Sequence, residues 1–217
     1  MIALIAIFAA AIAWLIAWRA RRRSKAPARA LILSPPRSTV IASDGSVRSV
    51  QSARLSLPAE ELARLWTPAN LENLGRTYWL FLTRVTLGII RVRYGADERA
   101  VSVLGSPLTL LRFSAPEYEI ESGHGHASWQ IKDGLLVARS GRGQGHLSLD
   151  VLRSAEDELT IEVEVSNFYP AIAFWFSTFV YEATQSFVHV LVTHAFLRSL
   201  ATLELDESPV GQLRDAA

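Results

Sequence analysis

Cysteine is absent from the 217 residues. That absence removes disulfides, thiolate metal ligands and cysteine nucleophiles together, although it does not identify a compartment. Acidic side chains are missing before Asp44, and residues 1–18, MIALIAIFAAAIAWLIAW, carry no charge of either sign. The chain also lacks a repeat of solenoid period, strand–helix–strand alternation of the parallel-sheet kind, and any nucleophile-elbow pattern bracketing a serine.

What is present divides sharply by position. Half of the residues are apolar, enough for a sizeable core in one medium domain with an extension. Six basic residues, Arg19, Arg21, Arg22, Arg23, Lys25 and Arg29, fall in the first 29 positions. Residues 30–217 hold the other 16 basic groups and all 21 acidic ones, a net of −5. A mildly acidic body of this kind argues against a nucleic-acid-binding face.

Residues 1–18 make about 27 Å of helix at 1.5 Å per residue, just enough to cross a bilayer core. Trp14 and Trp18 stand where an interfacial aromatic belt lies. A signal peptide carries its positive charge before the apolar run, and here the charge follows it. The cleavage-like triplet Ala28-Arg29-Ala30 sits behind that basic cluster. The pattern therefore predicts a single uncleaved anchor in the inner (cytoplasmic) membrane. The positive-inside rule puts its N-terminus outside and the main domain on the cytoplasmic side. Signal peptide is the main rival reading. Arg19, Arg21, Arg22, Arg23 and Lys25 are read as topology determinants that touch lipid headgroups. Residues 19–46, with Pro27, Pro35, Pro36, Gly45 and several serines, read as basic juxtamembrane segment and linker.

From residue 47 the periodicity changes. VRSVQSARLSL (47–57) alternates as a strand with Ala53, Leu55 and Leu57 on one face. Pro58 and then Thr67-Pro68 are helix-start signals. About 75 residues of strand pattern follow: IRVRY, VSVL, LTLLRF and EYEIE, then ASWQIKDGLLVA as a hairpin turning at Asp133-Gly134. A second hairpin joins HLSLDVLR to LTIEVEVS. Its alternation of Leu159, Ile161, Val163 and Val165 with Thr160, Glu162, Glu164 and Ser166 predicts an antiparallel sheet with one wet face.

Residues 167–200, NFYPAIAFWFSTFVYEATQSFVHVLVTHAFLRSL, are nearly apolar enough to span a bilayer. Glu182, Gln185 and His189 fall on one helical arc through the middle. Burying that carboxylate in hydrocarbon costs several kcal/mol, so a long helix packed on the sheet is the better reading.

The order of strand, short helices, antiparallel strands and one long last helix is similar to that of the START/Bet v 1-like superfamily, which includes polyketide cyclase/dehydrase and lipid-transport-like proteins. ARLSLPAEELARLWTPANLENL resembles the family's opening, and LTIEVEVSNFYP running into a long helix resembles its close. The resemblance spans residues 47–204 and implies an α+β helix-grip fold. A curved antiparallel sheet of about 6–7 strands would pack on the C-terminal helix, with a hydrophobic-ligand cavity between them. Residues 205–217 read as a flexible tail.

Several constellations compete for function. Tyr181, Gln185 and His189 on the last helix, with Trp129 and Arg139 on the sheet, are the candidate lining of a site for a lipid or polyketide-like molecule. Glu182 and His189, on the same helical arc with Gln185 between them, offer an enzyme alternative, a cyclase- or hydrolase-like acid–base pair. A third alternative is a structural membrane protein that docks a partner. His124 and His126 in GHGH share a face, but neither His146 nor another ligand completes a metal site from sequence, so no metal is expected. GRGQG (141–145) runs into a strand pattern where a phosphate loop needs a helix, and reads as a turn. No cofactor is expected.

Overall fold

The structure, a computed structural model, describes residues 26–33, 38–104, 108–171, 187–211 and 213; for residues 187–189 it describes the backbone. Within them lies one sheet in which every pairing is antiparallel. Its strands are β1 (Arg29–Ile32), β2 (Thr39–Ile41), β3 (Val47–Ser56), β4 (Ile90–Tyr94), β5 (Glu98–Val103), β6 (Thr109–Ser114), β7 (Glu117–Ile120), β8 (His124–Asp133), β9 (Gly145–Ala155) and β10 (Glu158–Phe168). The spatial order is β1-β3-β10-β9-β8-β6-β5-β4, with β2 on β3 and β7 on β8. Helices α1 (Ala59–Leu65) and α2 (Pro68–Val85) follow β3, and α3 (Phe187–Ser199) follows the sheet. The architecture is α+β and of the helix-grip kind.

The alternation read from sequence places the core. Leu147, Leu149 and Val151 of β9 and Leu159, Ile161 and Val163 of β10 are buried on the face toward the helices. Their hairpin turns at Glu156-Asp157, where two charged residues sit in water. Thr67 caps α2 by accepting from the Asn70 amide, and Pro68 fills the first turn, where its missing N–H costs nothing. α3 is apolar nearly all round, as a helix buried on most sides must be. Phe196 and Leu197 are fully buried, and Phe196 meets Tyr78 edge-to-face at 5.1 Å. Among the described residues no helix is long and apolar enough to cross a membrane. The anchor expected at residues 1–18 lies outside them.

Four expectations change. The sheet has ten strands where about 6–7 were expected. Two of the additional ones come from residues 29–32 and 39–41, within the segment read as linker; each borders β3, whose edge they cover. Asp133-Gly134 does not turn a hairpin. After Gly134 (φ 143°) the chain continues beside β6, with the Leu135 and Leu136 amides donating to the Thr109 and Leu110 carbonyls at 3.1 Å. A Cβ at Gly134 would lie 2.2 Å from the Leu110 oxygen, so close approach explains this glycine. β8 pairs instead with β9, after a 3₁₀ turn at Arg139–Gly141. Pro58 precedes α1 as its cap rather than standing in its first turn.

The tail is also not free. The Ser208 hydroxyl donates to Glu72 at 2.6 Å, the Leu213 amide to the same carboxylate at 2.9 Å, and Asp206 forms two 2.8 Å bonds with Arg84. Glu72 is 1% exposed, and the tail's Ser208 hydroxyl and Leu213 amide are among the donors that answer its buried carboxylate. Glu72→Ala should therefore cost about 1–3 kcal/mol in urea unfolding. It should also make residues 206–213 the first site cut in limited proteolysis, read by intact-mass spectrometry.

Candidate functional site

Between α2 and the sheet lies an apolar cavity of about 110 Å³. Leu71 and Leu74 of α2 form its roof, Gly125, Val151 and Ile161 its floor, and Leu200 and Leu203 one wall. Strand parity explains the floor, because Gly125, Val151 and Ile161 are inward positions of β8, β9 and β10. Gly125 keeps the floor low: a Cβ there would already touch the Leu71 side chain at 3.4 Å. Leu203 holds its wall from a left-handed backbone, φ 57°, that leucine rarely adopts. The polar side chains in the lining are Thr67 and Asn70, and both serve the fold. Thr67 caps α2, and the Asn70 amide donates to the Leu65 carbonyl at 3.0 Å. A lipid-sized ligand needs roughly 300–1,000 Å³, so it enters only if these walls part.

One turn further along α2 the chemistry reverses. The Arg99 guanidinium, fully buried on β5, lies 3.6 Å over the Tyr94 ring, and that of Arg76 lies 4.7 Å from the same ring. Arg99 Nη1 donates to the Gly95 and Glu98 carbonyls. Arg99 Nε and Nη2, Arg76 Nε and the hydroxyls of Tyr94 and Tyr118 have no hydrogen-bond partner among the described residues. Burial holds the Arg76 guanidinium below its usual pKa, and Tyr94 and Asp206 oppose that shift. Burial also drives the Tyr118 phenol well above its usual range, with Tyr94 and Glu72 adding to the shift. Tyr118 stands two residues from Ile120, at the cavity's edge on the same inward face of β7. An apolar chamber and a cluster of acceptor-starved donors thus lie side by side along α2.

The residues expected from sequence fare differently. Trp129 is fully buried, its ring 3.1 Å from where a Gly75 Cβ would stand, and its indole N–H has no hydrogen-bond partner among the described residues. It is a core residue packed on Trp79 and not part of the cavity lining. Arg139 is exposed in the 3₁₀ turn, away from the cavity, because the hairpin that would have carried it inward does not form. Tyr181, Glu182 and Gln185 lie outside the described residues, and so does the His189 side chain. GRGQG is a turn between β8 and β9, as expected. His124 and His126 do find a third ligand-type group, Asp150, which spacing along the chain could not place.

Sequence reasoning missed Arg76, Tyr94, Tyr118 and Arg99. A signal for the last existed: Arg99 has the parity of Val101 and Val103 in β5, so it had to point with them into the core.

No family model matches the chain, and a search of curated proteins found no match. Solved structures of similar fold include human StAR-related lipid transfer protein 5. It is 10% identical, with 94% of this chain and 99% of that one covered and a TM-score of 0.42. Human STARD10 is 8% identical over 83% and 71% of the two chains, with a TM-score of 0.39. An HSP90 activator from Plasmodium falciparum is 12% identical over 72% and 94%, with a TM-score of 0.34.

The two unanswered donors of the buried Arg99 guanidinium carry a desolvation cost that offsets its bonds to Gly95 and Glu98 and its stacking on Tyr94. Arg99→Met should leave ligand-free stability within about 1 kcal/mol of the parent in chemical denaturation, whereas breaking a structural buried ion pair costs about 3–5 kcal/mol.

Proposed function

We propose that the domain binds an amphiphile, with its apolar chain in the cavity under α2 and an anionic head, carboxylate or phosphate, against Arg99 and Arg76. The observation that carries this reading is the adjacency of a leucine-walled chamber to buried donors that have no acceptor. Unpaired buried polar groups cost free energy, and a charge-assisted bond to an anion recovers more than a neutral one. The lining holds no histidine or carboxylate among the described residues, so no reaction is assigned.

The tether belongs to the same proposal. Residues 1–18 would anchor the chain in the cytoplasmic membrane, with Arg19, Arg21, Arg22, Arg23 and Lys25 at the headgroups and the domain on the cytoplasmic side. What supports it is the uncharged apolar run followed at once by basic residues. A membrane-held domain whose chamber opens to an amphiphile would take that ligand from the adjacent leaflet.

The test uses the full chain in detergent micelles, a fluorescent fatty acid, and its neutral alcohol analogue. The fatty acid should bind one per chain and the alcohol more weakly. Arg99→Met should weaken the acid by about tenfold or more, about 1.4 kcal/mol, and leave the alcohol unchanged. Leu159→Trp, which fills the chamber, should weaken both. Equal loss of acid and alcohol in Arg99→Met would remove the head-group assignment, and binding indifferent to Leu159→Trp would remove the cavity.

A further inference from the structure

The face of the sheet turned away from the helices carries a separate group of side chains. His124 and His126 are alternate residues of β8, so both project from this outer face while Gly125 and Ala127 between and beyond them are buried. Asp150 of β9 stands directly opposite His126 in register. His126 Nδ1 lies 2.7 Å and His124 Nε2 3.1 Å from the same oxygen, Asp150 Oδ1. One ligand atom from each of the three residues falls within 4.8 Å of the others. All three side chains are partly exposed, so an ion can reach them from solvent.

The surroundings are acidic. Across β9, Glu162 of β10 is in register with Asp150, and across β8, Glu119 of β7 is in register with His126. Glu164 lies two residues along β10, and Arg48 pairs with it at 2.7 Å. A cation placed beside Asp150 is attracted by these neighbouring carboxylates.

We propose that His124, His126 and Asp150 form a binding site for one divalent transition-metal ion of the zinc class, with its remaining coordination position open to solvent. Two imidazoles and one carboxylate suit zinc and its neighbours, while magnesium and calcium favour all-oxygen sets. Bonds of about 2.0–2.2 Å in a tetrahedron separate the ligand atoms by roughly 3.3 Å. The histidine-to-aspartate distances of 2.7 and 3.1 Å lie somewhat below that spacing and all three ligand atoms lie within 4.8 Å of one another, so side-chain rotations that open the cluster can seat one ion. In the ion-free arrangement Asp150 Oδ1 accepts from a ring N–H of each imidazole. With an ion at the centre, the lone pairs of His124 Nε2 and His126 Nδ1 face the metal, and each ring carries its proton on the other nitrogen. His146 is no part of the site, because it stands four residues along β9 from Asp150, roughly 13 Å away.

The site clamps β8 to β9 across an existing pair of strands, so binding is expected to add stability without changing the fold. It is independent of the cavity on the opposite face.

The test is a titration of the tag-free full chain, stripped with chelator, by calorimetry with Zn²⁺ and by visible absorption with Co²⁺. One ion should bind per chain, Co²⁺ should give the absorption of a low-coordinate N/O site, and Mg²⁺ should not compete. His126→Ala and Asp150→Asn should each weaken Zn²⁺ binding by at least about tenfold, and His146→Ala should leave it unchanged. Circular dichroism confirms that each variant is folded, with His124→Asn as substitute where His126→Ala is not. Absence of stoichiometric uptake, equal binding by parent and variants, or an equal loss in His146→Ala would overturn the assignment.

Discussion

Helix α2 can lie against the sheet only as closely as Gly75 allows, and the Trp129 ring occupies that space. A Cβ at Gly75 would stand 3.1 Å from two ring atoms. From this contact a chain of edge-to-face aromatic pairs runs through the molecule. Trp129 meets Trp79 at 5.6 Å, Trp79 meets Tyr78 at 5.3 Å, and Tyr78 meets Phe196 at 5.1 Å. Each such pair contributes about 0.5–1.5 kcal/mol beyond its buried area. More important is that the chain fixes β8, α2 and α3 relative to one another. The cavity lies beside this aromatic chain, under Leu71 and Leu74, where leucines do not fill the height that the indoles set.

The same strands serve two chemistries because successive side chains point to opposite faces. On β8, Gly125, Ala127 and Trp129 build the interior, while His124 and His126 meet Asp150 outside. On β10, Leu159 and Ile161 line the cavity while Glu162 and Glu164 make the outer face acidic. An apolar ligand on one side and an ion on the other need not interfere, since a continuous backbone ladder separates them.

The alternating runs made most of the sheet readable in advance. Leu159, Ile161, Val163 and their polar neighbours fixed strand, face and hairpin partner together. Thr67-Pro68 marked the start of α2 correctly. Misreadings came where local signals met tertiary demands. Asp133-Gly134 has the chemistry of a tight turn, but Gly134 is needed to pass the Leu110 carbonyl. Residues 29–32 and 39–41 are too short and too close to prolines to announce themselves, and they become strands only because β3 offers an edge. The site was less legible than the fold. Arg99 could have been found by parity, but Asp150 comes to His124 and His126 only through the β8–β9 register, and no spacing along the chain encodes that.

The position of β3 between β1 and β10 has a consequence for how the protein is made. β3 leaves the ribosome early, while its partner β10 follows about a hundred residues later. Until then one long edge of β3 has β1 and β2 on its other side and nothing on this one. Ala53 and Leu55 meanwhile await the core that β9 and β10 complete. Pairings so distant in sequence form slowly, and an unpaired strand edge invites the wrong partner. The nascent chain therefore passes through a long interval in which α1 and α2, the next elements to emerge, are the cover that β3 has.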